Sequence, residues 1–442
     1  MGASRFAGSS LLIGALLATP LTAFAEPPAG ESAGQEPTAQ SLKQDIDQLK
    51  QDFNARLAAL ESRLAAIEGG GAQPGAPQAA AAPQAQPTAD VPSGAQGAGG
   101  PSGALPVYGN ASAASKIFNP DMAVIGNFLG AAGKNDVRPE PAFQMAESEL
   151  SIQAVVDPYA RADFFLSFAE SGVELEEGFI TFPTLPGGLL AKVGKMRAAF
   201  GKVNTLHTHM IPWADRPLVT DNLVNGEEGL SDAGVSVARL IPNPWIFLEA
   251  TGQVFRGDSG DVFTSSHRSD LSYVGHIRGY QDLSESTNVD IGGSYSFGHN
   301  ASGIVNGIDQ GQFTTQLMGL DATVRWRPLR RSIYHSFIGR SEIVWSQREQ
   351  PDGRQDASGF YVSGDYQLGR RWFTGVRFDR SERAYDASLH DVGQSFTLTY
   401  WPSEFSQIRG QYRHTDYTEG SVAHELLFQV QFNIGAHGAH PF

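Results

Sequence analysis

The 442 residues contain no cysteine, which removes disulfides, Cys-ligated zinc and thiol catalysis. Positive charge is in deficit. Lys and Arg number 32 against 47 Asp and Glu, a formal charge of -15, so the basic face that nucleic acid requires is not expected. Past the N-terminus no apolar run reaches the roughly 18 residues of a membrane-spanning helix. Catalytic signatures are also missing: no phosphate-cradling P-loop and no local Ser, His and Asp motif can be placed. The expectation is therefore a chain that is not an enzyme and needs no cofactor. An acidic soluble protein and a membrane β-barrel remain, the latter because its half-apolar strands escape a hydropathy window.

Residues 1–25 read as a secretory signal, with Arg5 as the sole charge, an apolar core over Leu11–Leu17, and a small-x-small end at Ala23-Phe24-Ala25. Residues 26–40 are expected to be disordered. From 41 to 68 the period is helical, with Ser41 as N-cap and apolar residues at Leu42, Ile46, Leu49, Phe53, Leu57, Leu60, Leu64 and Ile67. The spacings form a heptad seam with one extra step of four, a stutter. So narrow a seam on an isolated helix predicts a self-associating coiled coil. Residues 69–117, rich in Pro, Ala and Gly, form a linker that buries too little apolar surface to fold.

From Phe118 the period becomes two. Val289/Ile291/Gly293/Tyr295/Phe297 and Phe428/Val430/Phe432/Ile434 are clear examples, with Ser, Thr, Asp, Gln and Arg between. Sixteen strands are predicted, near 121–130, 143–155, 159–170, 174–182, 189–199, 230–240, 244–256, 271–281, 287–297, 313–327, 333–347, 357–368, 371–380, 392–401, 405–415 and 423–435. Connections after even strands are mostly short. Those after odd strands are mostly long: 131–142, 200–229, 257–270, 298–312, 348–356, 381–391 and 416–422. Short turns alternating with long loops suit a membrane barrel with both chain ends on the inner side. Trp245, Trp326, Trp345, Trp372, Tyr400 and Trp401 fit interfacial girdles.

The polar face carries Arg161, Asp163, Asp290, Asp321, Arg325, Arg340, Glu342, Asp365, Arg377, Asp379, Arg409 and Arg413. So many ionisable groups cannot be desolvated together, so this face should line a wet lumen. The fold class is thus an all-β transmembrane barrel of about sixteen antiparallel strands, preceded by a helical coiled coil.

The longest connection, 200–229, holds Trp213 with Leu206, Met210, Ile211, Leu218 and Val219, and is expected to tuck inside rather than extend into solvent. Lys202, His207, His209, Asp215, Arg216, Asp221, Glu227 and Glu228 would then lie at a constriction, where such charges set ion selectivity. His207-Thr208-His209 has a metal-like spacing, but HxH alone is a weak signal and no metal centre is assigned.

Phe118-Asn119-Pro120-Asp121, the run from Lys192 to Gly201, Gly229-Leu230-Ser231-Asp232-Ala233-Gly234 and Phe432-Asn433-Ile434-Gly435 resemble bacterial outer-membrane porins of the phosphate-selective O and P type, and related porins called zinc-regulated. The resemblance covers 118–442 and implies a homotrimeric sixteen-stranded channel with a periplasmic extension. Residues 118–442 hold 26 Lys and Arg against 38 Asp and Glu, a balance of -12, which does not favour a simple phosphate ladder. A local cationic filter would draw on Lys192, Arg197, Lys202, Arg325, Arg377 and Arg409.

The expected function is a passive channel for small hydrophilic solutes or ions in the bacterial outer membrane. Its partners would be lipid, two further copies of the chain and, through the coiled coil, peptidoglycan. The alternatives are a structural link between outer membrane and cell wall, or a metal-specific pore using His207 and His209.

Overall fold

The computed structural model describes residues 120–435 apart from 170, 171, 302, 303, 306, 307, 310 and 312. The signal peptide expected at 1–25, the disorder expected at 26–40, the coiled coil expected at 41–68 and the linker expected at 69–117 lie outside the described residues. So do residues 118 and 119 and those from 436 on.

Sixteen strands close into one barrel. They are β1 (Asp121–Lys134), β2 (Phe143–Asp157), β3 (Ala160–Ala169), β4 (Gly172–Leu185), β5 (Leu189–Arg197), β6 (Ser231–Leu240), β7 (Phe247–Phe255), β8 (Ser272–Ser284) and β9 (Thr287–His299), then β12 (Thr314–Trp326), β13 (Phe337–Gln350), β14 (Gly353–Gln367), β15 (Trp372–Arg383), β16 (Asp386–Ser403), β17 (Ser406–Asp416) and β18 (Val422–Gly435). Between β9 and β12 a two-stranded ribbon, β10 (Ile304–Val305) and β11 (Ile308–Asp309), stands apart from the wall. Sequential neighbours pair antiparallel, and β1 closes on β18 with Ala123 opposite Gly435. All sixteen expected strands are present.

The burial pattern is the reverse of a soluble protein's. On β9, Ile291 is 53% exposed while its neighbour Asp290 is 2% exposed. The same alternation runs through β12, β15, β17 and β18, with apolar side chains outward and polar ones inward. Outward Leu320, Val376, Phe428 and Ile434 would each lose about 1.5–3 kcal/mol by remaining in water. An apolar surrounding removes that cost, so the outer wall defines a transmembrane barrel.

The inner-side turns are tight because short polar side chains cap them. Asp157 Oδ1 accepts from Tyr159 N at 2.7 Å. Asn243 Oδ1 accepts from Trp245 N and Ile246 N at 3.1 and 2.9 Å. Such Asx turns replace the next ladder bonds with side-chain ones. Trp245 therefore belongs to a turn rather than to a strand end, and it is exposed.

The opposite rim differs from expectation in two places. The expected loops 348–356 and 381–391 are tight hairpins, because β13, β14, β15 and β16 run on past the membrane. At about 3.4 Å per residue the 18-residue β16 reaches about 60 Å, well beyond the 9–11 residues that cross a bilayer. Outside lipid the alternation has no apolar partner and fades, so the sequence there reads as loop. Trp401 is a second correction: its ring is buried rather than at an outer girdle. Trp372 and Tyr400 do sit together, with ring centroids 4.6 Å apart.

Candidate functional site

The chain from Ala198 to Leu230, between β5 and β6, crosses the barrel interior. Two glycines set its ends. Gly201 has φ 59° and Gly229 φ 63°, the left-handed region that side chains disfavour. A Cβ on Gly201 would lie 1.9 Å from Glu342 Oε1, and one on Gly229 would lie 2.2 Å from Asn204 Oδ1. Asn204 ties both ends together. Its Nδ2 donates to Ala198 O at 2.9 Å and Leu230 O at 3.1 Å, while its Oδ1 accepts from Leu230 N at 2.8 Å. Within the loop Leu218–Leu223 forms one short helix, α1, which the sequence reading did not foresee.

Apolar contacts hold the loop. Val203, Ile211, Trp213, Val219, Leu223 and Val224 pack with inward Phe179, Leu317, Val344, Ala357 and Tyr361. Trp213 meets Tyr361 edge to face at 5.2 Å, and the Arg377 guanidinium lies 4.8 Å from the Trp213 ring. The inner face of β12, β13 and β14 thus turns locally apolar where the loop docks. Met210 departs from the expected apolar set and is exposed.

Polar bonds then fix the loop to the far wall. Arg377 binds Asp215 at 2.9 Å and Asp379 at 2.7 Å, and Arg413 binds Asp215 at 3.0 Å and Glu425 at 2.6 Å. Arg409 donates to the Ile211 and Trp213 carbonyls at 3.2 and 2.7 Å. Leu218 N donates to Asp379, and Val203 N to Glu342. Burial opposes charge on Asp215, but Arg377 and Arg413 outweigh it and hold the carboxyl at about 2. Arg216 is buried beside Arg197, falls to about 10, and donates to the Val203 and Leu206 carbonyls. Burial raises Asp221 to about 6 although Arg138 lies 3.1 Å away.

The remaining expected lumenal residues also face inward. Asp290 gathers Arg278 (2.7 Å), Lys202 (3.5 Å) and Arg325 (3.8 Å). Arg161 binds Asp163 at 2.8 Å, Arg340 binds Asp365, and Lys192 lies over the Phe179 ring. Asp321 stands directly opposite Glu342 across β12 and β13. Each candidate for a cationic filter is thus held by an acid, a carbonyl or a ring. Beside α1 a cleft of about 270 Å³ remains, lined in part by Asp221, Asn225, Asp261, Ser346, Arg348 and Tyr385.

On the near wall, His207 and His209 reach β2 and β4. His207 Nε2 lies 2.7 Å from Glu177 Oε1. His207 Nδ1 lies 2.8 Å from Glu149 Oε2 and 3.0 Å from Glu176 Oε2. His209 Nδ1 lies 3.5 Å from Glu147 and 3.6 Å from Glu149. Burial opposes charge on His207, yet Glu149, Glu176 and Glu177 hold its proton affinity well above the ordinary value. The HxH pair therefore does not stand alone; Glu147 and Glu149 alternate inward along β2, whereas Glu176 and Glu177 were missed for a specific reason. Opposite Phe165 and Leu166 of β3 the register shifts, pairing Phe165 with Glu177 and Leu166 with Leu175. Glu176 is the extra residue of a bulge, which aims two consecutive side chains inward. Alternation alone would have put one of them outside.

The architecture defines the class: a sixteen-stranded transmembrane barrel of porin type, with a long loop folded inside. No family model matches the chain. The barrel is similar to OprB of Pseudomonas putida (TM-score 0.52, 10% identity, 73% of this chain and 95% of that one). It is also similar to an anion-selective porin from Comamonas acidovorans (TM-score 0.50, 9% identity, 71% and 99%). An uncharacterized protein of Aquifex aeolicus is 29% identical over 345 residues, covering 70% of this chain and 71% of its own.

Proposed function

We propose that this chain is a passive outer-membrane channel for small hydrophilic solutes or ions, with the 200–229 segment as its constriction. The observation that carries this reading is the loop bound to opposite walls of a closed, polar-lined barrel, with a polar cleft left beside α1. A sixteen-stranded barrel is too wide for its own side chains to fill, so a loop that narrows it sets pore size and field.

The interior cations are paired, so we propose no bare arginine ladder and no phosphate specificity. The reading includes a homotrimer in the bacterial outer membrane, with the 41–68 coiled coil in the periplasm. Planar-bilayer recording of the purified full chain tests it. Discrete conductance steps are expected, and protein that inserts without conducting would leave only a structural anchor. Reversal potential in a salt gradient then reads ion preference.

A further inference from the structure

We propose that Glu147, Glu149, Glu176 and His207 form a resident site for a divalent transition-metal cation, with Glu177 orienting the imidazole. The site is distinct from the conduction reading and stands whether or not the barrel conducts.

Four potential ligand atoms, one from each residue, lie within 4.8 Å of one another. Zinc-like bonds of about 2.0–2.2 Å set ligand separations of roughly 3.3–4.4 Å, so the widest pairs would close by a few tenths of an ångström, while the 2.8 and 3.0 Å contacts of His207 Nδ1 would open by about as much as the ion displaces a proton between them. A carboxylate cannot donate, so the 2.7 Å contact to Glu177 makes Nε2 the proton-bearing nitrogen. That leaves Nδ1 turned toward Glu149 and Glu176. A carboxylate on the far nitrogen is the usual partner of a metal-bound histidine, because it fixes the tautomer and raises ligand basicity.

Two further observations point to a ligand. Nδ1 of His207 is buried between two carboxylate oxygens, Glu149 at 2.8 Å and Glu176 at 3.0 Å, which compete for the one position it offers. Glu147 has a side chain only 3% exposed, and neither of its carboxylate oxygens is hydrogen-bonded among the described residues. Buried carboxylate oxygens without donors are costly, and a shared cation satisfies them at once. Protonating both histidines would also balance much of the charge, but a proton on Nδ1 serves one oxygen along one direction. A metal ion serves all four ligands. The imidazole and the lack of thiolates favour Zn²⁺ or Mn²⁺ over Ca²⁺.

The ligands come from β2, β4 and the interior loop, so the cation would clamp the loop to the near wall as Arg377 and Arg413 clamp it to the far wall. Burial suits an ion that stays rather than one in transit, because conduction needs weak, open sites.

The test is calorimetric titration of the full chain, folded in detergent and stripped with chelator, using ZnCl₂, MnCl₂ and CaCl₂ separately. One Zn²⁺ or Mn²⁺ per chain is expected, with Ca²⁺ at least tenfold weaker. Glu149→Gln should weaken binding at least 100-fold, and Glu177→Gln about 10–100-fold with the stoichiometry kept. His424→Ala, at a separate stacked histidine pair, should change nothing. Glu176→Gln replaces Glu149→Gln if the latter fails to fold, as judged by heat-dependent gel mobility. Absence of a saturable site, unchanged affinity in the glutamine variants, or Ca²⁺ binding as tight as Zn²⁺ would overturn the proposal.

Discussion

Asn204 shows how much a single buried amide can organise. It answers two carbonyls and one N–H where the interior loop leaves and rejoins the wall. Asn204→Ala strands those groups away from water, at about 1–3 kcal/mol for each one left unsatisfied. The expected outcome is a loop that protease cleaves within 200–229 while the barrel stays intact, read by mass spectrometry of the fragments. The two buried aspartates of the loop respond to pH in opposite senses. Asp215 has its folded value depressed from 3.8 to about 2, so its stabilisation is complete above pH 4 and is lost as pH falls toward 2. Asp221 is raised to about 6, so it favours the docked loop below its ordinary range and opposes it as pH climbs through 6. Because Asp221 lines the cleft beside α1, the reversal potential should shift toward cation preference with a midpoint near pH 6. In Asp221→Asn that shift should vanish. A midpoint retained in the variant would assign it to another group.

At the scale of elements, the sixteen strands were legible because lipid on one side and water on the other impose a period of two. Legibility stopped where that contrast stops. Beyond the outer membrane surface both faces are wet, and the ends of β13 to β16 were read as loops. It failed again at the bulge in β4, where Glu176 and Glu177 both turn inward against alternation. Trp401 misled for a related reason, since an aromatic near a strand end can serve either face. The apolar content of the interior loop was legible, but its docking partners Leu317, Val344 and Tyr361 were not, because inward apolar residues look like breaks in a polar face. The docking has a measurable consequence. Trp213→Ala removes a ring packed on Tyr361 and Arg377, a change that costs about 3–5 kcal/mol in a well-packed core. Single-channel conductance should rise and become noisy, since Arg377, Asp215 and Arg413 would then hold a loop without its apolar anchor. Unchanged conductance would place the narrowest point elsewhere.

For the whole molecule, the barrel and the N-terminal quarter answer to different physics. The barrel's stability follows from closure: each of its sixteen strands pairs on both sides, so the wall has no edge left to satisfy. We propose that the apolar seam expected over 41–68 takes no part in that closure and is covered by other copies of the chain. Deleting residues 26–68 behind an intact signal should therefore leave folding and single-barrel conductance unchanged. It should lower the temperature at which oligomers dissociate, read by native mass spectrometry or unheated gel electrophoresis of extracted membranes. If the oligomer of the truncated chain proves as heat-resistant as the full-length one, the copies are held by barrel walls alone. The seam must then cover itself against another surface in the periplasm.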